Sequence, residues 1–211
     1  MADTGIGQLA QTEWDGGVFP YAVGHKKLGM WLFIASDSLT FTALLIAYSY
    51  VRVASPNWPT PFQVWPSITM ATIMTVLLLS SSLTMVMAVA ASRRGDRGGT
   101  VRFVLLTMLG GLGFIVLHLN EWMGLIREGV RLSANPWGTP LFGGTFFTLT
   151  GLHMAHVASG VIYLGAVAAG FARGRFTEEH VEISGLYWHF VDLVWMFIFP
   201  LVYLLSFGGG A

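Results

Sequence analysis

Apolar residues run almost unbroken through five stretches of this chain: Leu28–Tyr50, Ser67–Ala91, Val101–Ile126, Leu141–Ala172 and Gly185–Ser206. Each is long enough for a helix to cross a ~30 Å hydrocarbon layer, which takes about 20 residues. The pattern predicts an all-α integral membrane protein of five transmembrane helices. The fourth stretch exceeds an upright crossing and is expected to tilt or protrude. Pro200 lies near the end of the fifth and is expected to loosen its last turn. Short polar connections separate the stretches, the first carrying Pro56, Trp58, Pro59 and Pro61, and the sequence has no repeat or linker. Residues 28–206 therefore read as one transmembrane domain, between an amino-terminal tail of residues 1–27 and a short tail of residues 207–211.

The basic residues orient the domain. Lys26, Lys27, Arg93, Arg94, Arg97, Arg102, Arg173 and Arg175 fall on one side, and Arg52, Arg127 and Arg131 on the other. Positive charge accumulates on the cytoplasmic side, so the amino-terminal tail is expected in the cytoplasm and the carboxyl terminus outside. The tail has no basic start followed by a short apolar core, so no cleavable signal is expected. Only 10% of the 211 residues are charged, against roughly 25% in soluble domains. A net charge of zero argues against a nucleic-acid partner, and the absence of cysteine removes disulfides and thiolate metal sites.

Ionisable groups inside such stretches cost roughly 2.5–3.5 kcal/mol each on insertion scales, so each needs a reason. Asp37 lies nine residues into the first stretch, about 14 Å deep at 1.5 Å per residue. It is expected either to hydrogen-bond a neighbouring helix or to stand near a proton path. In the third stretch His118 and Glu121 share a face, with Glu121 toward the outer leaflet, where a lipid amine or a second helix is the expected partner. In the fourth, His153 and His156 flank Gly151, Ala155 and Ser159, a small-residue repeat suited to close helix packing. Two histidines on one turn suit interhelical hydrogen bonds, whereas a metal would need further ligands. In the fifth, His189 and Asp192 are three apart and also share a face. An Asp–His pair can orient a base, but no serine sits in the strained elbow a hydrolase needs. Ser80, Ser81, Ser82 and Thr84 are expected to pack and hydrogen-bond.

Four of these segments, in order, resemble subunit III of the haem–copper respiratory oxidases. The run Lys27 to Asp37 looks like the family's first shared helix, with a serine preceding an acid. Longer mitochondrial-type members carry glutamate there; aspartate looks more like the short bacterial and quinol-oxidase members. Leu119–Trp122 is similar to the family's Glu-aromatic helix end. Gly143–Phe147 followed by Thr150–Val157 resembles its long helix, and Tyr187–Trp195 is its most specific motif. The resemblance covers Leu28 to Leu205 and suggests a five-helix bacterial form, lacking the first two helices of the seven-helix members.

That resemblance implies an accessory subunit, not catalytic by itself, of a proton-pumping oxidase in aerobic respiration. It implies no cofactor in this chain, haem and copper in partner subunits, and bound phospholipid. It implies packing on subunit I, with subunit II and a small subunit IV nearby, in a bacterial cytoplasmic membrane. Asp37 would support proton uptake, while His118, Glu121, His153, His156, His189 and Asp192 would make interhelical or lipid contacts. Two other readings compete. One is the subunit III-like component of a nitric-oxide reductase. The other is a free-standing membrane metalloenzyme or transporter using His153, His156, His189 and Asp192.

Overall fold

The computed structural model describes residues 24–206, and all its regular elements are helical. The helices are α1 (His25–Ala54), α2 (Thr69–Arg93), α3 (Arg97–Arg127), α4 (Pro140–Ala172) and α5 (Glu178–Ile198). All five have the length and hydropathy to cross a membrane, which makes the chain a multi-pass membrane protein. α1 and α3 run past their apolar stretches at both ends, because backbone hydrogen bonding continues into the polar boundary. His25, Lys26 and Lys27 of the expected amino-terminal tail are therefore helical; residues 1–23 and 207–211 of the two expected tails lie outside the described residues.

Wide π-helical turns extend two spans. Val64–Ile68 leads into α2, closed by the Ile68 N–H donating to the Gln63 carbonyl at 3.0 Å. Phe199–Leu204 continues α5. Pro200 has no N–H to give the preceding turn, and its own carbonyl accepts from Leu205, five residues on, at 3.0 Å. The expected loosening is thus a change of helical pitch.

Short turns hold the helices antiparallel. Between α2 and α3, Gly95 adopts φ +73°, which a Cβ would oppose, and the Asp96 side chain caps α3 by accepting from the Gly99 N–H at 2.8 Å. Between α4 and α5, the Thr177 hydroxyl and backbone N–H both meet His180 Nδ1 in a capping arrangement.

The core forms where α5 lies against α2 and α4, while α2 and α3 pack along much of their length. Trp188 and Trp195 are wholly buried and donate to Ser81 Oγ at 3.0 Å and Thr75 Oγ1 at 2.9 Å, tying α5 to α2. Thr84 and Thr107 meet at 2.8 Å between α2 and α3. In a bilayer such bonds contribute about 0.6 kcal/mol each, and close van der Waals contact does the rest. At the far end the α1–α2 connection folds over the bundle. Trp58 sits edge-on to Tyr48 and Phe142, each at 5.5 Å, and Phe62 is buried against Tyr203 at 4.8 Å.

α1 differs from the rest. It packs mainly on α4 and α5, burying Phe41 and Tyr48, while Leu32, Leu39 and Ile46 are exposed. Its basic end is anchored to α5 by Lys27 Nζ and Glu182 Oε1 at 2.7 Å, and Arg93 of α2 reaches the same carboxylate at 3.4 Å. The alternation of helix directions places Lys26, Lys27, Arg93, Arg94, Arg97, Arg102, Arg173 and Arg175 at this end.

Candidate functional site

The seam between α1 and α4 holds the membrane's most unusual pairing. Asp37 Oδ2 lies 3.0 Å from His156 Nε2, with both side chains only 15% exposed. The opposite ring nitrogen, Nδ1, is 2.8 Å from the Leu152 carbonyl one turn back. A carbonyl only accepts, so Nδ1 carries a hydrogen. One proton is then left to the Asp37–His156 contact: acid against neutral imidazole, or carboxylate against imidazolium. Both arrangements are neutral overall, as burial requires. The contact is short but off the line of a hydrogen bond. Phe41 meets the imidazole edge-on at 5.1 Å. Tyr187 of α5 closes the other side, its hydroxyl 3.0 Å from the His156 carbonyl and 2.7 Å from Ser159 Oγ. The pair sets a carboxyl and an imidazole ring together at a fixed place beside the exposed face of α1.

The second histidine of α4 faces elsewhere. His153 is wholly buried and donates through Nε2 to the Val191 carbonyl of α5 at 3.2 Å. Its ring stands 5.3 Å from Trp195 and 5.5 Å from Phe114. His118 enters the same aromatic cluster from α3, stacked on Phe114 at 5.3 Å, and neither of its nitrogens has a protein partner. His153 and His156 thus serve different helices. Among the described residues no three histidines, aspartates or glutamates stand together as a metal would require.

Glu121 lies toward the opposite end of the membrane from Lys27. Its Oε2 accepts from the Tyr203 hydroxyl at 2.7 Å, joining α3 to the π turn after α5. Replacing Tyr203 with phenylalanine is expected to strip from this buried carboxyl the one donor it has among the described residues. It should lower stability by about 1–3 kcal/mol, read as a fall in melting temperature in detergent.

His189 and Asp192 share a face but do not bond directly. His189 Nδ1 instead meets Ser82 Oγ of α2 at 2.6 Å, and Asp192 is 5% exposed with no hydrogen-bonding partner for either oxygen. The small-residue repeat is divided. Gly151 faces Trp122, whose ring stands 3.1 Å from where a Cβ would be, Ala155 is exposed, and Ser159 bonds Tyr187. Closer helix approaches fall elsewhere: a Cβ on Gly110 would stand 2.6 Å from Ser81 Cβ, and one on Gly111 would stand 2.5 Å from the Trp188 ring.

Ser82, expected to hydrogen-bond, does so with His189; sequence reasoning passed over Tyr187 and Tyr203 as hydrogen-bonding partners. Their signal was available: each offers a polar atom in an apolar run, and such atoms need partners.

A family model described as cytochrome c oxidase subunit III matches residues 16–207. Quinol oxidase subunit 3 of Bacillus subtilis (strain 168) is 34% identical over 185 residues, covering 86% of this chain and 88% of its own. Cytochrome c oxidase subunit 3 of the same organism is 32% identical over 189 residues, 88% of each. Cytochrome bo(3) ubiquinol oxidase subunit 3 of Pseudomonas aeruginosa is 29% identical over 186 residues, 87% of this chain and 86% of that one.

Proposed function

Because the chain belongs to the cytochrome c oxidase subunit III family, we propose that it is the accessory subunit of a proton-translocating haem–copper terminal oxidase, packing on subunit I and supporting its sustained proton uptake. It sits in the bacterial cytoplasmic membrane with its amino-terminal end inside, subunit II and a small subunit IV complete the assembly, and phospholipid fills the space beside α1. Haem and copper, with the chemistry of oxygen reduction, reside in the partners. This chain supplies shape and proton-holding groups.

The observation that carries this reading is the Asp37–His156 pair. A lone carboxyl at mid-membrane would be costly, and an ion pair kept only for stability is seldom better than an apolar replacement. A neutral acid–imidazole pair, beside a helix face still open to a partner, suits a group that exchanges protons with a neighbouring subunit. The membership of both quinol and cytochrome c oxidases among the relatives agrees with a role independent of the electron donor.

Gentle purification of the tagged chain tests the assignment. It should bring down a haem-containing partner with the optical spectrum of a haem–copper oxidase and show no activity when stripped of it. A nitric-oxide reductase spectrum would move the chain to that complex, and a chromophore or oxidoreductase activity in the isolated chain would overturn the reading. A hydrophobic carbodiimide, which needs a protonated carboxyl in apolar surroundings, should label Asp37 at neutral pH. Peptide mapping that finds Asp37 unmodified would contradict the protonated state.

A further inference from the structure

A groove of about 390 Å³ runs down the outside of the bundle between α2 and α5. Arg93 and Glu182 stand at its mouth, at the basic end of the molecule, and Val86, Val89 and Leu186 line it. His189 also lines it, and its Nδ1 is turned toward Ser82 Oγ at 2.6 Å, which leaves Nε2 for the groove. Asp192 lies one turn deeper than His189, about 4.5 Å along the axis. It shares with His189 the face of α5 that Ser82 meets, and among the described residues neither of its oxygens has a hydrogen-bonding partner.

An ionised carboxylate at this depth with no cation against it would cost several kcal/mol. Among the described residues no lysine or arginine pairs with Asp192, and the nearby histidine of α4, His153, spends its Nε2 hydrogen on the Val191 carbonyl. Asp192 therefore stands as the acid. From these placements we propose that Asp192 is a proton-exchanging carboxyl, connected through Ser82 and His189 to the aqueous phase at the basic end of the bundle.

The transfer moves one proton and no electrons. A hydronium ion at the groove gives its proton to His189 Nε2 and is left as water. The imidazolium releases its Nδ1 hydrogen to Ser82 Oγ as the Ser82 hydroxyl hydrogen passes to the Asp192 carboxylate, turned into contact by rotation about its soft terminal torsion. The product is neutral His189 still bearing hydrogen on Nε2, Ser82 donating to Nδ1, and protonated Asp192. Release runs the same bonds in reverse. The proposal rests on the membrane setting and is independent of Asp37 and of the oxidase assignment, since it can be read on this chain without partners.

Infrared difference spectroscopy of the full chain in phosphatidylcholine nanodiscs tests it. Subtracting the Asp192→Asn spectrum should reveal a protonated-carboxyl stretch that shifts on transfer into heavy water. In Ser82→Ala and in His189→Phe that shift should slow by about a hundredfold, the usual worth of a positioned proton carrier. Ser82→Thr, which keeps the hydroxyl, should restore the native rate. Amide bands matching the native chain show that the helices are kept in each variant. Absence of an Asp192-dependent band would mean an ionised group and would overturn the proposal. An unchanged exchange rate in Ser82→Ala, or a slow rate in Ser82→Thr, would overturn the route.

Discussion

Replacing Gly110 with leucine is expected to break the contact between α2 and α3 and lower the stability of the bundle by about 3 kcal/mol or more. A Cβ at this position would stand 2.6 Å from Ser81 Cβ and 3.3 Å from the Leu77 carbonyl oxygen. The first clash involves a short side chain fixed to its helix, and the second is backbone, so neither yields by a change of rotamer. The helices must separate. Separation stretches the Thr84–Thr107 bond of 2.8 Å and the Thr107 donation to the Ser81 carbonyl at 3.3 Å, and it disturbs Ser81 as the acceptor for Trp188. In a bilayer, where lipid already satisfies apolar surface, close approach is the main force holding helices together. Denaturation in mixed detergents measures the loss. Gly124→Leu is the control: a Cβ at Gly124 meets nothing within 4 Å, so this variant should unfold with the native chain.

Asp37→Asn is expected to preserve assembly and initial activity while shortening the working life of the oxidase severalfold. With Nδ1 of His156 committed to the Leu152 carbonyl, the neutral ring offers a lone pair at Nε2, and an asparagine amide can donate to it. The contact survives, but its exchangeable proton is gone. Asp37→Leu removes the contact itself and leaves a buried ring nitrogen without a partner, at about 1–3 kcal/mol. The pair of variants separates two roles. A proton-holding role predicts rapid loss of turnover in both, with lowered stability only in the leucine variant. If the asparagine variant sustains turnover like the native oxidase over a long assay, Asp37 acts as a helix contact alone.

Much of the site was open to reading residue by residue. Asp37, Glu121 and Asp192 declare themselves by standing in hydrocarbon, where each charged group needs compensation. Their partners were harder to foresee. The three-residue spacing of His189 and Asp192 correctly puts both on one face, yet they do not bond each other, because α2 passes that face and its Ser82 takes His189 Nδ1. His153 and His156 also share a turn, but the small angle between them is enough to send one to α5 and the other to α1. The repeat at Gly151, Ala155 and Ser159 has the composition of a contact stripe, but the bundle places Ala155 outside, and closer helix approaches fall at Gly110 and Gly111. Composition marks which residues permit contact; only the azimuth of each helix selects the ones that make it.

Five crossings, the gathering of basic residues at one end and the presence of costly acids in the interior follow from the chain alone. Segment length and charge act on each helix through the bilayer, whatever stands next to it. The contact of Asp37 with His156, the serine on His189 and the tyrosine on Glu121 arose only when the helices settled in rotation and depth against one another. Those two coordinates are set by the sum of many weak side-chain contacts across the seams, and a shift of one residue in either would give every polar group a different partner.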